Sequence, residues 1–164
     1  MTLKEQLTRA RTALRDDEFE GRSLFEELLD QYPNARSDLL RERSLGYAEA
    51  GAFDKAFADR RDVADADMSS IADLYFAGEY AMQAGSLDQA APYFERCIAR
   101  SLNEKSAYYL GSARLLAALC RSRMGDKTKA LAMLDEVPAD VSVMWLDGFD
   151  DEVTKATVLK ELRR

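Results

Sequence analysis

The sequence predicts an all-α fold, built as an array of helix pairs. The first observation is a glycine followed five residues later by an alanine, which occurs three times, at residues 51–56, 85–90 and 125–130. The first two of these glycines stand 34 residues apart, a period typical of stacked helix pairs that bury their apolar faces only against one another. The second observation is the weakness of strand signals, since the one β-prone run, residues 141–145, is short and isolated.

Apolar residues recur every three or four positions along the chain, which predicts amphipathic helices. In the first 34 residues they form two such stripes, and the carboxylates at 16–18 supply an N-cap and a negatively charged first turn for the second helix. Pro33 ends that helix, because proline cannot continue the backbone hydrogen-bond ladder. The next helix pair turns at Gly51, where the absence of a Cβ permits a positive φ.

The third helix pair begins at Ser69 or Ser70, either of which can cap a helix. Small residues on one face of its first helix allow a neighbouring helix to approach closely, and Gly78 is the smallest of them. The glycines at 85 and 125 are 40 residues apart instead of 34, so we expect six extra residues to extend a helix near 101–106.

The end of the chain predicts one more helix pair and then a final helix that caps the array. Pro138 ends the last pair. The final helix begins with Asp150 or Asp151 as its cap. Four apolar residues then point from this helix toward the preceding pair: Val153, Ala156, Leu159 and Leu162.

The net charge excludes several classes of partner. Thirty acidic and 23 basic residues leave a formal charge of −7, which repels nucleic-acid phosphates and anionic membrane surfaces. The partner that this charge favours is a protein with a basic or amphipathic segment. Charged residues interrupt the N-terminal stretch, and the best candidate for membrane insertion, 115–120, is far shorter than the roughly 20 residues of a spanning helix. We therefore expect a cytoplasmic protein without a signal peptide or membrane segment.

The residues that most often carry enzyme chemistry are missing or unsuitably placed. The sequence has no histidine, which removes imidazole-activated nucleophiles and histidine metal sites. Adjacent carboxylates diverge by about 100° on a helix, and capping and solvation explain them. Cys97 and Cys120 lie in apolar helical stretches and are expected to be reduced core residues. We therefore predict no catalytic residue, no cofactor and no metal site, and expect a protein that is not an enzyme.

These patterns resemble the tetratricopeptide repeat family. The third repeat carries the resemblance best, with residues of the expected size at the positions that the family uses: Leu74, Gly78, Gly85, Ala90, Phe94 and Cys97. The second repeat departs from the pattern at Arg43 and Arg60, where an apolar and an aromatic residue are usual. The resemblance implies a right-handed α-solenoid of about four antiparallel helix pairs in a single domain, 1–164, with repeats at about 3–34, 36–68, 70–101 and 106–138 and a C-terminal cap at 139–164.

In this family the first helix of each pair lines a concave groove that holds a peptide or a partner helix. The resemblance therefore implies a set of partner-binding residues on the first helices of the second and third repeats: Arg41, Leu45, Glu49, Tyr75, Glu79, Met82 and Gln83. We expect Tyr75, Met82 and Leu45 to be exposed on one concave wall. Leu115 and Leu119 are the corresponding residues of the fourth repeat.

One segment has a composition of its own. Residues 135–152 contain seven carboxylates and no lysine or arginine, together with aromatic residues that include Trp145 and Phe149. An acidic rim around a tryptophan suits a basic partner, which makes Trp145 and Phe149 candidate partner contacts. The same residues could instead fold back and close the end of the last helix pair, as the terminus of an array requires.

The predicted function is protein binding without catalysis, with a peptide or helix of a partner held in the groove. The charge leaves an alternative open, namely an acidic immunity or inhibitor protein, or a secretion chaperone, that neutralises a cationic toxin or effector. Tight one-to-one inhibition with an association rate that falls as ionic strength rises distinguishes this alternative. An enzyme that works with carboxylates, lysine or tyrosine has the least support, because an open groove makes an enclosed pocket difficult.

Overall fold

The computed structural model describes residues 1–144 and 152–163. Within these residues the chain forms nine α-helices, one short 3-10 helix and a two-stranded sheet, so the all-α prediction is confirmed for the described part. The chain divides into two compact units, which we call unit 1, Met1–Ser69, and unit 2, Ser70–Arg164. Each unit has its own helices and its own buried apolar side chains.

Unit 1 consists of four α-helices and the 3-10 helix. Their bounds are α1 Leu3–Asp16, α2 Glu18–Gln31, the 3-10 helix Pro33–Ala35, α3 Arg36–Glu49 and α4 Phe53–Ala64. α1 packs against α2 and α3, and α3 packs against α4. Asp17 caps α2 as predicted, because its Oδ1 accepts hydrogen bonds from the backbone N–H groups of Phe19 at 3.0 Å and Glu20 at 3.2 Å.

Two glycines let three helices of unit 1 converge on Leu14, a buried residue of α1. A Cβ built on Gly21 of α2 would lie 2.3 Å from the backbone nitrogen of Leu14, far inside van der Waals contact. A Cβ built on Gly46 of α3 would lie 2.8 Å from Leu14 Cδ1. The close packing of this core therefore depends on the missing side chains at both positions.

Charged residues join α3 and α4 where the family pattern has apolar and aromatic ones. Arg43 donates two hydrogen bonds to the carboxylate of Asp59, from Nε at 2.7 Å and from Nη2 at 2.8 Å. Arg60 is buried and donates from Nε to Ser44 Oγ at 3.1 Å and from Nη2 to the Arg41 carbonyl oxygen at 3.3 Å. Because each guanidinium meets acceptors inside the seam, two arginines fit between these helices.

Unit 2 contains five α-helices and the short sheet among its described residues. Their bounds are α5 Ile71–Gln83, α6 Leu87–Asn103, α7 Leu110–Arg123, α8 Lys127–Asp135, β1 Ser142–Val143, β2 Val153–Thr154 and α9 Lys155–Leu162. α6 packs against both α5 and α7, and α7 also contacts α8, α9 and β1. α6 has 17 residues, so the extra length between the second and third turn glycines extends a helix, as predicted.

The repeated glycine and alanine positions have the roles that the pattern predicts. Gly51, Gly85 and Gly125 have φ angles of 75°, 80° and 85°, a region in which a residue with a Cβ is strained. The alanines five residues later are fully buried on the helix that follows each turn: Ala56, Ala90 and Ala130.

The prediction of the final helix is wrong at its start. Val153 lies in β2 and pairs with Val143 of β1, because a β-branched residue suits an extended and buried position. The predicted caps, Asp150 and Asp151, lie outside the described residues.

α9 begins directly after Thr154, which caps it. Thr154 Oγ1 accepts a hydrogen bond from the backbone N–H of Thr157 at 3.3 Å, and Thr157 Oγ1 accepts one from the Thr154 N–H at 2.8 Å. This start places Val158 and Leu162 on the buried face. Ala156, which was predicted to face the preceding helix pair, is exposed.

Candidate partner-binding site

α5 carries four of the predicted partner-binding residues and is fixed at its start by Ser70. Ser70 Oγ accepts a hydrogen bond from the backbone N–H of Asp73 at 3.2 Å, and Asp73 Oδ2 accepts one from the Ser70 N–H at 2.8 Å. This capping box confirms the predicted helix start. Because the four predicted residues follow at intervals of one to four positions, they lie on neighbouring turns of one side of α5: Tyr75, Glu79, Met82 and Gln83.

A chain of aromatic rings runs from the core of unit 2 to its surface. The ring centroid of Tyr75 lies 6.0 Å from that of Phe94, which is fully buried, and 4.7 Å from that of Tyr109 at the start of α7. The Tyr109 ring lies 4.7 Å from the ring of Tyr108, a residue that is 84% exposed. These separations are typical of favourable ring pairs, and we call these four residues the aromatic chain.

Tyr75 and Met82 are packed inside unit 2. Tyr75 is 7% exposed and its hydroxyl group hydrogen-bonds to Ser112 of α7, while burial raises the pKa of Tyr75 well above its usual value. Met82 is 8% exposed. The prediction that these two side chains are exposed is therefore wrong. For Tyr75 the reason is that Tyr109, from the segment before α7, covers it.

Glu79 has the most unusual environment of the predicted residues. It lies one helical turn after Tyr75 and is partly buried. Burial raises the pKa of the Glu79 carboxyl group, and no described residue forms a hydrogen bond or ion pair with it. α5 contains no lysine or arginine that could act as a counter-ion. A desolvated carboxylate of this kind is suited to a donor or cation from another molecule.

In unit 1, Leu45 is partly exposed, and the two predicted charged residues form ion pairs. Arg41 Nη1 lies 2.7 Å from Oδ1 of Asp38, and Glu49 pairs with Arg11 of α1. Beside the second pair, a cleft of about 430 Å³ is lined by Thr8, Arg11, Thr12, Arg15 and Glu49.

Unit 2 also has an apolar cleft of about 460 Å³, which we did not predict from the sequence. The charged groups at its edge are paired with one another, as in the ion pairs Arg114–Glu136 at 3.6 Å and Lys129–Glu95 at 2.9 Å. Because α6 and α8 are far apart in the sequence, their separate helical patterns do not reveal the cleft between them. Its apolar lining consists of Ile98, Ala99, Leu102, Ala132 and Met133.

The remaining predicted contacts have different outcomes. Leu115 and Leu119 are fully buried, because α7 packs against α6, α8 and α9, so their assignment to a groove is wrong. Trp145 and Phe149 lie outside the described residues. The two interpretations of the acidic segment therefore stay open.

The chemistry-bearing side chains of the described residues are dispersed. No three or more cysteine and carboxylate side chains among them are placed to hold a metal ion. Cys97 and Cys120 are free and fully buried as predicted, and burial raises the pKa of the Cys97 thiol to about 11 and that of the Cys120 thiol to about 12. Across the same residues, no helix combines the length and hydrophobicity of a membrane-spanning segment.

Comparison with known proteins gives one family match. Residues 112–140 match the family model described as tetratricopeptide repeat. This segment spans most of α7 and all of α8, so the match falls on the fourth predicted repeat and confirms the resemblance. No curated protein and no solved structure matched the chain significantly.

Proposed function

Since the chain carries a tetratricopeptide repeat, we propose that it is a non-catalytic module that binds a peptide or a helix of another protein. Repeats of this kind generally bind proteins on the extended surface that their stacked helices form, and they are generally not catalytic. This proposal includes four further features: a right-handed solenoid, four helix pairs, a concave groove and a cytoplasmic location.

The proposed contact surface of unit 2 combines α5 with the outer end of the aromatic chain. Glu79 and Gln83 are partly exposed on α5, and Tyr108 and Tyr109 are exposed or partly exposed beside its start. Tyr75, together with Met82, supports this surface from below instead of contacting the partner. In unit 1, we propose contacts from the three residues that the family resemblance implies: Arg41, Leu45 and Glu49.

The environment of Glu79 carries this proposal. Folding partly desolvates the Glu79 carboxylate, and no described residue compensates for this with a hydrogen bond or an ion pair. The result is a loss of stability for which packing alone gives no reason. A backbone N–H or a basic side chain from another protein would restore the missing interaction. Neighbouring tyrosine rings add apolar area with few rotatable bonds, which is favourable chemistry for a contact surface. A partner with a basic or amphipathic segment fits both features.

Selection of a random peptide library against the immobilised full chain tests the proposal. We expect enriched peptides whose affinity, measured by fluorescence anisotropy, falls at least about tenfold in Glu79→Arg, because the substitution reverses the charge at the proposed contact. Asp30→Arg makes the same change at an exposed position of α2 and should leave the affinity unaltered. Failure to enrich any peptide, or equal binding to both variants, contradicts the proposal.

The net charge of −7 supports the second candidate, an acidic immunity protein, inhibitor or secretion chaperone that neutralises a cationic toxin or effector. This candidate requires one-to-one binding with an association rate that decreases steeply as salt increases. Stopped-flow measurement of a selected basic partner at low and high salt tests this candidate. A rate that does not respond to salt removes the second candidate.

A further inference from the structure

We propose that Glu79 and the ring of Tyr109 form a subsite for an arginine side chain of the partner. This inference rests on the proposed function, since it names the chemistry that the α5 surface of unit 2 takes from a binding protein. The guanidinium group would lie against the Tyr109 ring and donate hydrogen bonds to the Glu79 carboxylate.

The shared neighbour of both groups is Tyr75. The Tyr109 ring lies 4.7 Å from the Tyr75 ring at an interplanar angle of 33°, and 6.2 Å from the ring of Phe76. Tyr109 therefore covers the first turns of α5. Glu79 follows Tyr75 by four residues, which is about 6 Å along the helix axis. Glu79 and Tyr109 also both act electrostatically on the Tyr75 hydroxyl group, so they border the same side chain, and a cation bound beside that side chain would meet both.

The charge distribution favours a cation from outside the chain. No described residue pairs with Glu79, and α5 has no basic residue. Arginines of the two helices that pack against α5 have carboxylate partners of their own, since Arg100 pairs with Glu104, Arg114 with Glu136 and Arg121 with Glu95. Glu79 is therefore left with a charge that water and a binding partner must balance.

The geometry favours arginine over lysine. A guanidinium group is planar, stacks on an aromatic ring and presents a fork of donors that matches a carboxylate. It is also more weakly hydrated than an ammonium group, so it loses less when it enters a partly desolvated position. The partly exposed side chain of Tyr109 would supply the aromatic contact, and the carboxylate of Glu79 would accept the hydrogen bonds.

Titration of the full chain with N-acetylarginine methylamide, followed by NMR of carbon-13-labelled tyrosine rings, tests the subsite. The Tyr109 resonance is assigned from its loss in Tyr109→Phe. We expect a saturable shift with the arginine probe and none with N-acetylcitrulline methylamide, a neutral isostere, at the same concentrations. The affinity should fall at least about fivefold in Glu79→Gln and stay unaltered in Asp30→Asn, a matched loss of one charge.

A second pair of variants checks the role of the ring. Tyr109→Phe keeps an aromatic face, so the affinity that is read from the other tyrosine resonances should stay within about twofold, whereas Tyr109→Leu should lower it at least about fivefold. Circular dichroism confirms that each variant is folded. Equal responses to arginine and citrulline, no response to either, or full affinity in Glu79→Gln overturns the subsite. If library peptides still bind and depend on Glu79, the proposed function survives that result; if no peptide binds, the function itself is wrong.

Discussion

The packing around Leu14 predicts that two glycine-to-alanine substitutions have very different costs although they meet the same residue. Gly21→Ala places a methyl group 2.3 Å from the Leu14 backbone nitrogen and 2.5 Å from its Cα. Gly46→Ala places a methyl group 2.8 Å from Leu14 Cδ1. A backbone atom moves only if the helix moves, whereas the end of a leucine side chain can change its rotamer.

The magnitudes follow from these distances. Ordinary contacts of a Cβ atom lie at 3.4–4 Å, so Gly21→Ala requires α1 and α2 to separate by about 1 Å. Overpacking costs about 1–3 kcal/mol and sometimes more, and a clash with backbone belongs at the upper end. Alanine returns about 1 kcal/mol through its higher helix propensity at either position. We expect a net loss of about 2 kcal/mol or more for Gly21→Ala, and a change within about 1 kcal/mol of zero for Gly46→Ala.

Urea unfolding followed by far-ultraviolet circular dichroism measures both free energies of unfolding. Leu14→Ala in each background is the control, because it removes the atom that Gly46→Ala meets but not the backbone that Gly21→Ala meets. It should therefore couple to Gly46→Ala more strongly than to Gly21→Ala. Equal losses for the two glycine variants, or a stable Gly21→Ala, would refute the close contact between α1 and α2.

Three further predictions concern charged and ionisable groups. Arg43→Leu leaves the buried Asp59 carboxylate unpaired and should lower the free energy of unfolding by about 3 kcal/mol. The double variant Arg43→Leu/Asp59→Leu should restore much of this loss, and a double variant as unstable as the single one contradicts the prediction. Because burial raises the pKa of Glu79, the folded chain binds this proton more tightly than the unfolded chain does, so the contribution of Glu79 to stability falls as pH rises above about 4.3. In urea unfolding at pH 7, Glu79→Gln should therefore be more stable than wild type by on the order of 1 kcal/mol. A difference in stability that does not become smaller toward pH 4 contradicts this prediction. Burial raises the pKa of the Cys97 thiol to about 11 and that of the Cys120 thiol to about 12, so neither should react with a thiol reagent at pH 8 until the chain is unfolded in urea.

Local chemistry explains why much of the fold could be predicted. The positive φ angles of the turn glycines and the hydrogen bonds of caps such as Asp17 and Ser70 depend on residues within a few positions of each other. The buried alanines follow from the same short pattern, because a fixed offset from the turn sets the face of the next helix. These features require no knowledge of which distant segments meet.

The contact between α3 and α4 shows what a comparison with the family pattern cannot predict. Arg43 and Arg60 break the family pattern, and in isolation each indicates a weak contact between helices. The structure resolves this through partners 16 residues away on the facing helix, since Asp59 pairs with Arg43, and Ser44 accepts a hydrogen bond from Arg60. An arginine at a helix–helix contact therefore does not by itself indicate weak packing, because the outcome depends on the hydrogen-bond acceptors of the facing helix.

Contacts between segments that are distant in the sequence also decide which residues a partner can touch. The spacing of α5 places Tyr75 and Glu79 on one side, but it cannot tell which of them another segment covers. The six extra residues before the fourth repeat mainly lengthen α6, and the segment that follows α6 brings Tyr109 against α5 with Tyr108 beside it. Tyr109 covers Tyr75, where the sequence predicts a contact with the partner. The proposed contact surface therefore lies further out than the sequence predicts, at Tyr109 and Glu79 instead of Tyr75.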